Sequence, residues 1–141
     1  MSNLERYIAD NGKDIKFIGS IMDEDGILKD VGFAHFYYKE ENAYTYVGGV
    51  HPKYFNHGYG VYASIAMLSL IYDLMLNIKI STGIYKHNRR SLKADLAIGF
   101  TITRETDEKW LLELTKEGFN NDFVRKVKLK IKYQLSSIQQ L

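Results

Sequence analysis

The spacing of apolar positions changes several times along the chain, and each spacing predicts an element. Residues 3–10 (NLERYIAD) put Leu4, Tyr7 and Ile8 at helical spacing, with Gly12 placed to stop a short helix. IKFIGSIM (15–22) and ILKDVGFAHFYY (27–38) are rich in β-branched and aromatic residues instead, and the Asp25-Gly26 between them is a strong hairpin signal. AYTYVGGV (43–50) follows a polar stretch and reads as a third strand. Three strands joined by short turns predict an antiparallel meander.

The pattern then becomes helical. Between Gly60 and Asn77 the apolar residues, Val61, Ile65, Leu68, Ile71 and Met75 among them, take up most of the circumference, which predicts a buried helix. IKISTGIY (78–85) reads as a buried strand. Arg89 to Ile98 reads as a helix burying Leu92, Leu96 and Ile98, with Gly99 as a left-handed C-cap and Phe100 as its hydrophobic contact. FTITRE (100–105) is a strand. This alternation implies right-handed crossovers onto a parallel segment of sheet. The stretch TDEKWLLELTKEG (106–118) fits a short helix or a strand, and the helix is preferred. Finally Val127, Leu129, Ile131 and Tyr133 alternate with Lys126, Lys128, Lys130 and Lys132, and a period of two predicts a strand with one basic face. The expected fold class is α/β (α+β): a mixed, mostly antiparallel central sheet with flanking helices, in one domain over 1–141.

Composition narrows the chemistry. The 141 residues are 45% hydrophobic and 26% charged, as in ordinary globular proteins. With no cysteine, disulfides, a thiolate nucleophile and a zinc–thiolate site are excluded, and no metal site is expected. The N-terminus lacks the layout of a signal peptide. The longest apolar run, Val61 to Leu76, is interrupted by Ser64, Ser69 and Asp73, so a cytoplasmic protein without a membrane partner is expected. A net charge of +2 is too small to imply nucleic acid by itself. The lysine-rich strand face is open to solvent, the preferred reading, or serves an acidic acceptor, nucleic acid, or a second copy of the chain in a homodimer.

The candidate chemistry lies before the greasy helix. HPKYFNHGYG (51–60) holds the only proline and a Gly58-x-Gly60 pair. A strand, a short loop and a helix start aim unpaired backbone N–H groups at one point, at the positive end of the helix dipole, where an anion is favoured. Glycine there keeps a Cβ away from the anion. The pair alone fits a plain helix-entry turn as well as a phosphate cradle, and neither GxGxxG nor GK[ST] is present.

In context, Val50 to Gly60 (VHPKYFNHGYG) resembles the acyl-coenzyme A loop of the GNAT superfamily of N-acetyltransferases, V-x-P-x-[YF]-[RQ]-x-x-G-x-[GA]. Asn88 to Phe100 (NRRSLKADLAIGF) resembles the same family's N-x-x-[SA]…G-F segment. The likeness covers roughly residues 15–105, with a family that uses acetyl-CoA as co-substrate. It implies that the backbone of Gly49 and Val50 pairs with the pantetheine arm, and that amides of His57, Gly58, Tyr59, Gly60 and Val61 hold the pyrophosphate. Asn88 and Ser91 would meet the pantetheine or the adenosine diphosphate. Arg89, Arg90, Lys53 and His57 are candidate partners of the 3′-phosphate.

There are departures. Phe55 stands where the family carries Arg or Gln, and the first strand and two following helices are cut down to 3–10. The tyrosine that donates a proton to the departing thiolate in many members aligns with Asp95. An ionised aspartate cannot donate it, so Tyr85, His87 or water is expected to serve. The Val50 N–H is the candidate for holding the carbonyl oxygen, and His35, Glu41 and Tyr46 are candidate bases. The resemblance thus implies direct acetyl transfer from acetyl-CoA to a primary amine, on a protein, a small molecule or a nucleobase. The alternative is a truncated module that contacts a protein or nucleic acid without catalysis.

Overall fold

The computed structural model describes residues 14–22, 25–54, 59–74 and 77–130. The helix expected at 3–10 lies outside them. Six strands, β1 (Ile15–Met22), β2 (Leu28–Glu40), β3 (Ala43–Val50), β4 (Lys79–Tyr85), β5 (Thr101–Glu105) and β6 (Lys109–Leu114), form one sheet in the order β1-β2-β3-β4-β6-β5. Its neighbours are antiparallel except β3 and β4. The meander is present as expected, with Gly26 (φ 76°) in the first turn and Asn42 (φ 62°) in the second. Both need the left-handed region that glycine and asparagine tolerate best.

Helix α1 (Tyr59–Leu74) carries the chain from β3 to β4, and α2 (Arg89–Ile98) carries it from β4 to β5. The parallel contact is limited to β3 and β4, because β6 inserts between β4 and β5. Cross-strand partners share a face, so the register assigns Ile15, Phe36, Ile80, Leu112 and Leu114 to one side of the sheet. All five are buried, together with Ile65, Leu68 and Ile71 of α1 and Ile98 of α2. The other face exposes Phe33, Tyr37, Val47 and Tyr85.

Leu96, expected on the buried side of α2, is 44% exposed, and two further expectations need correction. Residues 109–114 form strand β6, not a helix, with the tight turn before it tied by the Thr106 N–H to the Lys109 carbonyl (2.8 Å). The strand is central, flanked by β4 and β5, and that position overrides the helical preference of its leucines. The basic segment, where described, is helix α4 (Asp122–Lys130), which follows the short helix α3 (Lys116–Phe119). Val124 and Val127 are buried three residues apart while Leu129 is 89% exposed, the reverse of what a period of two requires. The Asn121 side chain accepts the Val124 N–H at 3.0 Å and caps the helix start. Residues 131–135 of that expected strand lie outside the described residues.

Candidate functional site

Strands β3 and β4 begin side by side and then part. They pair at Ala43–Lys79, Tyr44–Ile80 and Thr45–Ser81, although β3 continues to Val50 and β4 to Tyr85. The last tie is a side chain: the Thr82 hydroxyl donates to the Tyr46 carbonyl at 3.0 Å. Beyond it the facing backbone edges diverge and leave a groove of about 940 Å³. Each strand has already spent its other edge, β3 on β2 and β4 on β6. The groove therefore presents backbone amides and carbonyls with no strand opposite, a place where an extended chain can add itself to a sheet.

Helices close the groove from the core side. The first turn of α1 contributes Gly60 and Val61, so its unpaired N–H groups and positive dipole end lie beside the groove. From α2, Asn88, Ser91, Asp95 and Ile98 line it at helical spacing of three and four residues. Across from them, the Tyr46 hydroxyl meets the Ser64 hydroxyl of α1 at 3.2 Å. Burial pushes the Tyr46 phenol up to about 12, against a lowering by the Ser64 hydrogen bond, and Asp95 adds to the rise. Burial alone pushes the Asp95 carboxyl up to about 7.

No family profile matches the chain, and no curated protein does. Solved structures do. A GNAT-family acetyltransferase from Bacillus anthracis superposes with a TM-score of 0.58 at 24% identity, over 67% of this chain and 62% of that one. A ribosomal-protein-S5-alanine acetyltransferase from Vibrio fischeri gives 0.64 at 13%, over 83% and 69%. A chimeric spermidine N-acetyltransferase from Vibrio cholerae gives 0.65 at 11%, over 82% and 75%. The chain has the GNAT fold.

Within this GNAT fold the two sequence motifs come to one place. Gly49, Gly60, Val61, Asn88 and Ser91 all line the groove. Val50 ends β3 and Tyr59 begins α1 on either side of the connecting loop. His57 and Gly58, expected to contribute amides, lie outside the described residues, as does Phe55. Asn88 serves its helix directly: its carboxamide oxygen accepts the Ser91 N–H at 3.2 Å. Of the expected cations, Arg90 lines the groove, while Lys53 sits on the 3-10 turn Pro52–Tyr54 and Arg89 is exposed.

The candidate acids and bases separate. Tyr85 lines the groove at the end of β4, half-exposed, with the Lys109 ammonium 4.5 Å above its ring. His87 stacks on Tyr85 with ring centroids 5.6 Å apart and is not part of the groove lining. His35 is on the open sheet face, stacked on Tyr37 at 3.6 Å and 3.8 Å from the Asp14 carboxylate. Burial, and then Lys16, lowers its pKa against the opposing Asp14 carboxylate, which disfavours the charged imidazolium. It does not line the groove, and Glu41 sits in the exposed turn at the paired end of β3. Only Tyr46, of the three expected bases, faces the groove, and its raised pKa makes it a poor one.

Ser64, Thr82 and Lys109 went unnoticed in the sequence because nothing local marks them. Asp95 reads as an ionised aspartate in the sequence, and its burial in the groove disfavours that form. Among the described residues, no three His, Asp or Glu side chains are grouped as a metal would require, and no helix is long and apolar enough to cross a membrane.

Proposed function

We propose that this domain, over residues 1–141, is an acetyl-CoA-dependent N-acetyltransferase that moves the acetyl group directly from the thioester to a primary amine. The observation that carries the reading is the parting of β3 and β4 beside the first turn of α1. An extended amide-bearing arm matches an unpaired strand edge, and a pyrophosphate matches the positive end of a helix.

In this reading the backbone of Gly49 and Val50 pairs with the pantetheine arm, while amides from His57 to Val61 hold the pyrophosphate. Asn88 and Ser91 border the arm from α2, and Arg90 supplies a cation for phosphate. The Val50 N–H steadies the carbonyl oxygen as charge develops on it. Tyr85, which lines the groove, and His87, stacked on it, are placed to return a proton to the departing thiolate. The amine attacks the carbonyl carbon as its free base, the C–S bond breaks, and the nitrogen releases its proton to solvent. Holding both reactants in one groove supplies most of the acceleration such a transfer needs.

Thiol release from acetyl-CoA tests the reading, measured with a panel of polyamines, amino acids and peptides bearing free N-termini or lysines. Amine-dependent release is the expected result. No release with any amine, and no rise in melting temperature with saturating acetyl-CoA, would overturn it.

A further inference from the structure

The groove has two halves. The helix side holds the first turn of α1 with Asn88 and Ser91 of α2, and the other half opens on the exposed face of the sheet. Phe33, Val47 and Tyr85 line that open half and are each half-exposed, so its wall is largely apolar. Lys109 of β6 crosses its end. A Cβ at Gly83 of β4 would touch the Lys109 stem at 3.6 Å, and the ammonium lies 4.5 Å over the Tyr85 ring. Two other lysines nearby are matched: Lys79 has the Glu113 carboxylate and Lys86 has that of Glu105. Among the described residues Lys109 has no such carboxylate, and the carboxyl in the groove lining is that of Asp95, on the helix side.

We propose that Lys109 selects the acceptor: the open half takes a primary amine carried on an apolar group that also bears a carboxylate, the chemistry of an apolar amino acid. The proposal rests on the acetyltransferase reading above. With the coenzyme against the helix side, the amine reaches the thioester carbon from the open half. There its apolar group lies along Phe33 and Val47, and its carboxylate meets the Lys109 ammonium in a charge-assisted hydrogen bond.

The same charges work against a polyamine. When one of its amines gives up a proton to react, at least one further ammonium remains at neutral pH. That ammonium would face Lys109, with no carboxylate among the described residues of the open half to balance it. Arg90 and Lys109 are two positive charges in the lining against one carboxyl, so the groove disfavours a cation even when Asp95 is ionised.

The test uses the full chain and its Lys109→Ala, Lys109→Glu and Lys109→Arg variants, with thiol release measured for phenylalanine, phenethylamine and spermidine. Phenylalanine and phenethylamine differ only in the carboxylate. Comparing their ratio between proteins cancels the difference in amine basicity and any uniform loss of rate. The wild type should turn over phenylalanine with the highest kcat/KM, and its preference over phenethylamine should fall about 10-fold in Lys109→Ala. The preference should persist in Lys109→Arg and reverse in Lys109→Glu, where spermidine gains. The rise in melting temperature with acetyl-CoA should be the same in all four proteins. A wild type that prefers spermidine, or that binds acetyl-CoA without turning over phenylalanine, overturns this proposal alone. So does an unchanged ratio, or a lost thermal shift, in Lys109→Ala. A wild type with neither thiol release nor a thermal shift overturns the acetyltransferase reading and this proposal with it.

Discussion

Tyr46 on β3 and Ser64 on α1 join hydroxyls at 3.2 Å, beneath the point where the sheet opens. Thr82 on β4 closes the same corner by donating to the Tyr46 carbonyl. One tyrosine thus ties both strands and the following helix at the base of the groove. Removing either hydroxyl leaves the other without this partner, so Tyr46→Phe and Ser64→Ala are each expected to cost about 1 kcal/mol in urea unfolding. The double variant should cost less than the sum of the two, a coupling that a double-mutant cycle reads directly.

Asp95 should make stability depend on pH in an unusual direction. Its folded pKa, about 7, lies above the unfolded value of about 3.9. The folded state therefore binds the proton more tightly, and the stabilisation is fully present below about pH 4. It is lost as pH rises toward 7 and levels off above that. Asp95→Asn removes the titration. It should unfold at higher denaturant than the wild type at pH 8, and the difference should shrink toward pH 4.

The sheet face under the helices carries most of the stability. Phe36 is fully buried, with Phe17 edge-on at 5.9 Å and Tyr46 stacked at 5.1 Å, so Phe36→Ala should cost about 3–5 kcal/mol. Leu129→Ala on α4 should change stability by less than about 0.5 kcal/mol, since that side chain is 89% exposed. Equal losses from the two would contradict the helical assignment of the basic segment.

Gly99 closes α2 at φ 120°, and a Cβ there would run into the Gly118 carbonyl. Asn121 stitches the same junction through its carboxamide to the Ile98 carbonyl (3.0 Å) and the Gly118 carbonyl (2.9 Å). Gly99→Ala meets both backbone strain and a clash, and should lower the melting temperature by several degrees on thermal unfolding, on the scale of about 1–3 kcal/mol.

Much of this architecture was legible from residue patterns. β3 and α2 have the bounds read from the sequence, and Gly99 and Phe100 end α2 as its C-cap pattern required. Those segments carry local information: a period, a cap or a turn residue. β6 carries less, because Leu111 beside Leu112 breaks the alternation that Trp110, Leu112 and Leu114 otherwise keep with Lys109 and Glu113. The basic segment misled by accident of spacing. Its lysines alternate with apolar residues, but Asn121 caps a helix and Val124 and Val127 decide which face is buried. At the site, glycine, asparagine and serine positions could be read from motif spacing. The protonation of Asp95 could not, because burial is a property of the assembled groove.

In the proposed reading acetyl-CoA lies between the parted ends of β3 and β4, with its phosphates at the first turn of α1. Amide hydrogen exchange of the full chain, with and without saturating acetyl-CoA, tests it most directly. Protection should rise at Gly48, Gly60, Val61 and Ser91 and stay unchanged along the exposed edge strand β5. Unchanged exchange at those groove amides, or protection confined to another surface, would contradict the account.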